Sequence, residues 1–269
     1  MAENKMLRSM WMILTIDVGN TNMVLSVYDE DTLKFTSRLA TQASNMEDDY
    51  AIDFMDILRL YSCENENFEG AIISSVVPQV ISVLISAVKT VFKCRVITVS
   101  AGIKTGLNIK IENPVSLGAD LVCGAVAALK KYPMPCIIFD LGTAITISAM
   151  DSKGAFLGGS IFPGVEVSMK ALTSSTAQLP HVNTSDSDVR IIGTSTSDSI
   201  RSGIILGTAS MIDGIIDRYK EVLGEDATVV VTGGLSSLIV QHCKREVTVD
   251  DSLLSDGLLM IYKMNTKKI

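Results

Sequence analysis

Apolar runs and polar turns alternate along the chain, and one succession of them occurs twice. The first copy opens "ILTIDVGNTNMVLSVYDEDTLKFTSRLA": an apolar strand ending at Asp17, an acidic turn, a strand of alternating character, the polar turn "DEDT" and a third strand. The second opens "CIIFDLGTAITISAMDSKGAFLGGSIFPG", with the same order of strand, acidic turn, strand, "DSKG" turn and strand. A helix-like segment follows each, "MEDDYAIDFMDILRLY" in one and "GVEVSMKALTSS" in the other. Next, "GAIISSVVPQVISVLISAVKTVF" and "ATVVVTGGLSSLIVQHC" each run from a strand into a helix, and the short strands "CRVITV" and "REVTV" close the two copies. Matching elements in matching order identify an internal duplication, with an N-terminal half over 12–116 and a C-terminal half over 117–264. Two extra helices, "ADLVCGAVAALKKY" and "SDSIRSGIILGTASMIDGIIDRYKEVL", lie between or within the halves and are expected to pack their seam.

The duplication gives the repeated acidic turn a purpose. Two similar halves facing one another would present Asp17 and Asp140 to opposite sides of one ligand, and a nucleoside triphosphate with Mg²⁺ is such a ligand. Gly19 and Gly142 let the backbone approach phosphate oxygens, and successive amides with the Thr21 and Thr143 hydroxyls supply donors. Both turns lead into strands and lack GK[ST], so neither is a Walker-type loop. A single D-x-G-x-T would be ordinary hairpin chemistry. Two copies in register, each closing an apolar strand, favour a functional reading.

Composition narrows the picture. With 269 residues, 47% of them hydrophobic, the chain can form one large domain or two ordinary ones. A net charge of −7 with scattered basic residues argues against a general nucleic-acid or membrane-surface binder. The five cysteines include no CxxC pair and sit mostly in apolar runs, as expected of small buried hydrophobes in a reducing cytoplasm. Only His181 and His242 are present, which disfavours a histidine-rich zinc site or a conventional serine–histidine hydrolase. No run of about 18 uninterrupted apolar residues occurs. The opening "MAENKMLRSMW" has too short an apolar core for a signal peptide; either Met12 is the natural start or the first eleven residues are a frayed extension.

The turns "DVGNTN", "DLGTA" and "VVTGGLS" resemble the two phosphate turns and the adenosine turn of the acetate and sugar kinase, heat-shock chaperone and actin superfamily. That resemblance implies an α/β, duplicated ribonuclease-H-like fold, the actin-like ATPase fold, with two mixed-sheet halves flanking an ATP cleft. Within the superfamily the chain is most similar to the type III pantothenate kinases. The runs "IDVGNTN", "IISSVVP", "KTGLNI", "NPVSLGAD", "FDLGTA", "IFPGVEVSMKAL", "TAQLP", "IRSGIILG", "VVTGGL" and "SDGLLMIYKMN" carry the likeness over nearly all of 12–264. It implies ATP-dependent phosphorylation of pantothenate on its terminal hydroxyl, the first step towards coenzyme A.

The resemblance also implies roles by residue. Asp120 in "SLGADLVCGAVAAL" aligns with the catalytic aspartate, although its place at a helix start also suits a simple N-cap. Asp17 aligns with the Mg²⁺–phosphate side, and Val18, Gly19, Asn20, Thr21 and Asn22 with the ATP-binding turn; Thr143, Gly233 and Gly234 align with further nucleotide contacts. Asp140 aligns with the ligand of a monovalent cation, K⁺ or NH₄⁺. Gly118, Ala119, Asp120 and Leu121 are expected against pantothenate, joined by Thr196 across the interface of a homodimer. The small residues Ser202, Gly203, Gly207 and Ser210 on one helix face fit that dimer and fit packing within the chain equally.

The chain departs from the family pattern where Leu121 replaces an arginine, Ile111 a tyrosine, and "GTST" stands for "GKNT". These changes remove a charge and a phenol from the expected pantothenate pocket, leaving Lys104 and Lys110 as possible replacements for the charge. The alternatives are a related small-molecule kinase with another acceptor and a catalytically idle nucleotide-binding regulator. The retained Asp17, Asp120 and Asp140 weigh against the idle form.

Overall fold

Residues 11–176, 179–180, 182–183 and 189–266 are described by a computed structural model of the chain. The ten N-terminal residues, His181 and part of the "TAQLP" run lie outside the described residues. The chain folds as two compact units. Unit 1 comprises the described parts of 1–105, 118–123 and 254–269; unit 2 comprises those of 106–117 and 124–253. The division therefore does not follow a single cut at 116/117.

In unit 1, β1 (Trp11–Val18), β2 (Asn22–Asp29) and β3 (Thr32–Ala40) form an antiparallel meander. Helix α1 (Glu47–Leu60) leads to β4 (Asn67–Ser75), which pairs parallel to β1; α2 (Pro78–Phe92) leads to β5 (Arg95–Thr98), parallel to β4. The sheet order is β3-β2-β1-β4-β5. Alternation along β1 sends Met12, Leu14, Ile16 and Val18 into a core shared with Tyr50, Phe54, Leu84 and Val88 of the two helices. Fully burying one such side chain contributes about 1.5–3 kcal/mol. Three acids, Glu47, Asp48 and Asp49, open α1, where the helix dipole favours them, and Pro78 opens α2, where its missing N–H costs nothing.

The opposite face of β1 and β2 carries polar residues. It meets α8 (Leu253–Thr266) through Ser26 Oγ and Ser255 Oγ at 2.9 Å and through the Tyr28 hydroxyl, which donates to Asp256 at 2.7 Å. Buried hydroxyls thus find partners on the covering helix, as burial demands.

Unit 2 repeats the topology. β6 (Cys136–Leu141), β7 (Ala144–Met150) and β8 (Phe156–Pro163) form the meander. Helix α4 (Val165–Ser175) and the helical run α5 (Thr196–Arg201) and α6 (Gly207–Leu223) precede β9 (Thr228–Thr232); α7 (Ser236–Val240) precedes β10 (Thr248–Val249). The order β10-β9-β6-β7-β8 is that of unit 1 listed from the other edge, so the expected duplicated fold is the observed one. The segment 106–117 joins this sheet through a bridge between Ile109 and Phe156.

The continuous run Thr196–Leu223, which contains a π-turn at Ser202–Leu206, has the length and hydropathy of a membrane span. Its character is that of an amphipathic core helix. Ile205, Ala209, Ile212 and Ile216 are buried against β6, β7 and β9, while Asp213 accepts from the Lys244 and Arg245 amides and Asp217 pairs with Arg245 at 2.9 Å.

Candidate active site

In unit 1 the sheet delivers Asp17 to the end of β1, half-buried, beside Val24 of β2 and Ser74 of β4. The turn beyond it is closed by the Gly19 amide, which donates to the Asn22 carbonyl at 3.0 Å. A Cβ on Gly19 would lie 3.1 Å from that same carbonyl, so the turn is tight enough to favour glycine. Val18 is buried and its carbonyl accepts from the Val76 amide at 3.0 Å, which ties the turn to the strand end carrying Ser74. Asn20, Thr21 and Asn22 are exposed, with the Thr21 carbonyl held by the Thr41 amide.

Asp120 stands in the first turn of α3 (Ala119–Lys131), whose residues 119–123 belong to unit 1. Its Oδ1 accepts from the Leu121 amide at 2.8 Å, so the carboxylate is folded onto its own helix start, where free amides and the dipole favour an anion. Asp120 is thus the second residue of the helix and not its N-cap, and its carboxylate takes the amide of the next residue. Any side chain at Gly118 would collide with Asp120 Oδ1, which makes that glycine the space the carboxylate occupies. Ala119 and Leu121 flank it, both partly exposed.

One turn further, Cys123 is fully buried. Burial pushes its thiol well above the usual range, the carboxylates of Asp17 and Asp120 add to the rise, and Ser74 opposes it. Residues distant in sequence thus share one compact unit: Asp17 with its register partner Ser74, and the first turns of α3 with Asp120 and Cys123. The Ser74 Oγ is itself buried and has no hydrogen-bond partner. Cys123 lies near enough for the hydroxyl to favour its thiolate, yet is not placed to satisfy Oγ. Leaving such a hydroxyl unpaired costs about 1–3 kcal/mol.

In unit 2, Asp140 ends β6 in register with Thr232 of β9. Gly142 and Thr143 form the exposed turn, and the Thr143 carbonyl accepts from Gly164 at 3.0 Å. Gly233, at φ +100°, turns the chain directly over Asp140; Gly234 beside it is exposed. The Ser236 hydroxyl that follows donates to Asp251 at 3.0 Å. Thr196 is exposed at the start of α5, where Ser195 caps the helix by accepting from the Asp198 amide at 3.1 Å.

Two residues expected at the acceptor pocket are otherwise engaged. Ile111 lies 3.8 Å from the position a Cβ on Gly158 would take, so an aliphatic chain fills that place on the sheet edge. Lys110 is held by Asp151 at 2.8 Å, an ion pair that, with two turn amides, keeps the aspartate at a pKa of about 2. Lys104 is exposed.

Among the described residues no three histidine, cysteine, aspartate or glutamate side chains gather as a metal cluster. A cation here would rest on single carboxylates plus backbone, water and phosphate oxygens. That donor set fits Mg²⁺, which keeps much of its water and is usually held by one or two carboxylates and the substrate's phosphates. The unsatisfied Ser74 hydroxyl beside Asp17 fits the same oxygen-rich chemistry.

Asp17, Asp120 and Asp140 could be proposed from the sequence; Ser74 could not, because only the pairing of β4 with β1 brings it beside Asp17.

The family profile described as type III pantothenate kinase matches residues 13–218. A type III pantothenate kinase from an Exiguobacterium species is 41% identical over 256 residues, covering 95% of this chain and 100% of the relative. One from Exiguobacterium sibiricum is 42% identical over 254 residues, covering 94% and 100%. Among solved structures, a Campylobacter jejuni protein named for the Baf family of transcriptional activators superposes with a TM-score of 0.60 at 18% identity, over 94% of this chain and 98% of that one, a likeness of fold.

Proposed function

The chain belongs to the type III pantothenate kinase family, and from that premise we propose a role for each residue of the two turns and of the α3 start. Membership carries the reaction: ATP, used with a divalent metal ion, phosphorylates pantothenate in coenzyme A biosynthesis.

In the proposed arrangement Asp120 accepts a hydrogen bond from the terminal hydroxyl of pantothenate and orients its oxygen for attack on the γ-phosphorus. The new O–P bond forms as the bond to the β,γ-bridging oxygen breaks, ADP departs, and the hydroxyl proton passes to Asp120 or to water. A carboxylate stabilised by a helix N-terminus is a weak base, which suffices where a loose transition state asks mainly for positioning. Asp17 holds Mg²⁺ on the phosphate side, and the turn Val18, Gly19, Asn20, Thr21 and Asn22 offers amides and hydroxyls to phosphate oxygens. Thr143, Gly233 and Gly234 take the nucleotide, and Asp140 binds K⁺ or NH₄⁺. Gly118, Ala119, Leu121 and Thr196 meet pantothenate, with Thr196 serving the neighbouring subunit of a cytoplasmic homodimer.

The observation that carries this reading is that one compact unit holds both carboxylates, Asp17 at the end of β1 and Asp120 in the first turn of α3. It supports a carboxylate for the metal–phosphate group and another for the acceptor hydroxyl acting in one place. ADP release, measured with and without pantothenate, tests it. Release that depends on pantothenate is expected. Equal release without it would point to another acceptor, and ATP binding without turnover would point to an idle regulator.

A further inference from the structure

The hydroxyl of Ser74 is fully buried, belongs to the strand beside Asp17, and is bonded to nothing. Its neighbours on this face are well satisfied by comparison. Thr15 donates to the Ser26 carbonyl, Ser26 bonds both Thr36 and Ser255, and Tyr28 donates to Asp256. The adjoining Ser75 also closes its own local turn, exchanging hydrogen bonds with the Val77 backbone at 3.0 and 3.1 Å. An unpaired hydroxyl in so satisfied a layer stands out.

Aligned residues on neighbouring parallel strands put their side chains on the same face, so the register partners Asp17 and Ser74 face the same way. Cys123 of α3 lies near Ser74, and water has no access to Oγ. Turning the serine about its Cα–Cβ bond is what would bring the hydroxyl to a new acceptor, and its register partner Asp17 supplies a neighbouring carboxylate. A hydroxyl–carboxylate bond is charge-assisted and fixes the carboxylate's plane.

We propose that Ser74 is a positioning residue for the divalent-cation site: when the metal–nucleotide binds, its hydroxyl donates to the Asp17 carboxylate and holds it in the orientation that receives the cation. The proposal rests on the assignment of Asp17 to that cation. It makes Ser74 useful to metal-bound nucleotide alone and indifferent to nucleotide stripped of metal.

The test is a pair of titrations on the full chain, Mn²⁺·ADP and ADP in excess chelator, read by calorimetry and, for Mn²⁺, by its paramagnetic resonance. For Ser74→Ala, Mn²⁺·ADP should bind about tenfold more weakly, the equivalent of one charge-assisted hydrogen bond, while metal-free ADP binds as before. Thermal melting should show no loss of stability, because the hydroxyl removed was unpaired, and the near-isosteric Ser74→Cys should behave likewise. Equal affinities of Ser74→Ala and wild type for Mn²⁺·ADP, or equal weakening with and without metal, would overturn the proposal. Asp17→Asn separates the two failures. If it weakens Mn²⁺·ADP and Ser74→Ala does not, only the Ser74 role falls; if neither does, the cation assignment of Asp17 falls with it.

Discussion

Gly233 and Asp140 leave no room between them: a Cβ added to Gly233 would fall 2.7 Å from Asp140 Oδ1 and 2.6 Å from the Leu141 amide nitrogen. The glycine also holds φ at +100°, a conformation that side-chain-bearing residues rarely adopt. The turn assigned to the adenosine and the acid assigned to the monovalent cation are thus in van der Waals contact. Gly233→Ala should lower stability by about 1–3 kcal/mol through strain and displace the Asp140 carboxylate. Denaturant unfolding with a titration of activity against K⁺ checks both. A stable variant with an unchanged K⁺ response would separate the two turns.

Asp120→Asn keeps the size of the side chain and an oxygen for the Leu121 amide, so the start of α3 should survive. The variant should melt as wild type does, bind ATP with unchanged affinity, and lose turnover by about two powers of ten. Near-normal kcat in steady-state assays would remove Asp120 from contact with the reacting hydroxyl.

The assignment of Asp140 to a monovalent cation predicts strict dependence on the ion supplied. Activity should be high in potassium or ammonium buffer and low in sodium alone, and Asp140→Ala should be inactive in all three. The measurement is initial rate at fixed ionic strength. Full rates in sodium would leave Asp140 with only a structural role.

Much of this was legible in the chain. The strands β1 and β6 are apolar runs that carry an aspartate one residue before their ends, and the periodicities after them repeat, so two sheets of one topology could be read directly. Periodicity says what an element buries, however, and not which sheet it joins. Ser255 bonds Ser26 across 229 residues, and Gly257 packs against the Cys123 backbone, contacts that place the last helix with unit 1 although it follows the second repeat. Cys123 was expected to be a small buried hydrophobe and is one. Ser74 reads as an ordinary strand serine until β4 aligns it with Asp17.

Asp250 gives unit 2 a pH-dependent anchor. Its carboxylate lies beside Lys131 Nζ at 2.6 Å, accepts from the Tyr132 hydroxyl at 2.7 Å and takes the Ser252 hydroxyl at 3.0 Å, fastening the end of α3 to the turn after β10. Burial alone would raise its pKa, but these donors outweigh burial and hold it below the usual carboxylate value. A depressed folded-state pKa means that the anchor is at full strength above the unfolded-state value and weakens as pH falls through the folded-state one. Wild-type stability from this source should therefore persist at neutral pH and decline only in strong acid. Lys131→Met removes the group that lowers the Asp250 pKa most, so that pKa should rise, and acid loss of stability should begin at higher pH. At neutral pH the variant should be weaker by about 2 kcal/mol, the order of a hydrogen bond to a charged group. Urea midpoints for both proteins between neutral and acid pH make the comparison, and curves that stay parallel across the range would show that Lys131 does not set the charge of Asp250.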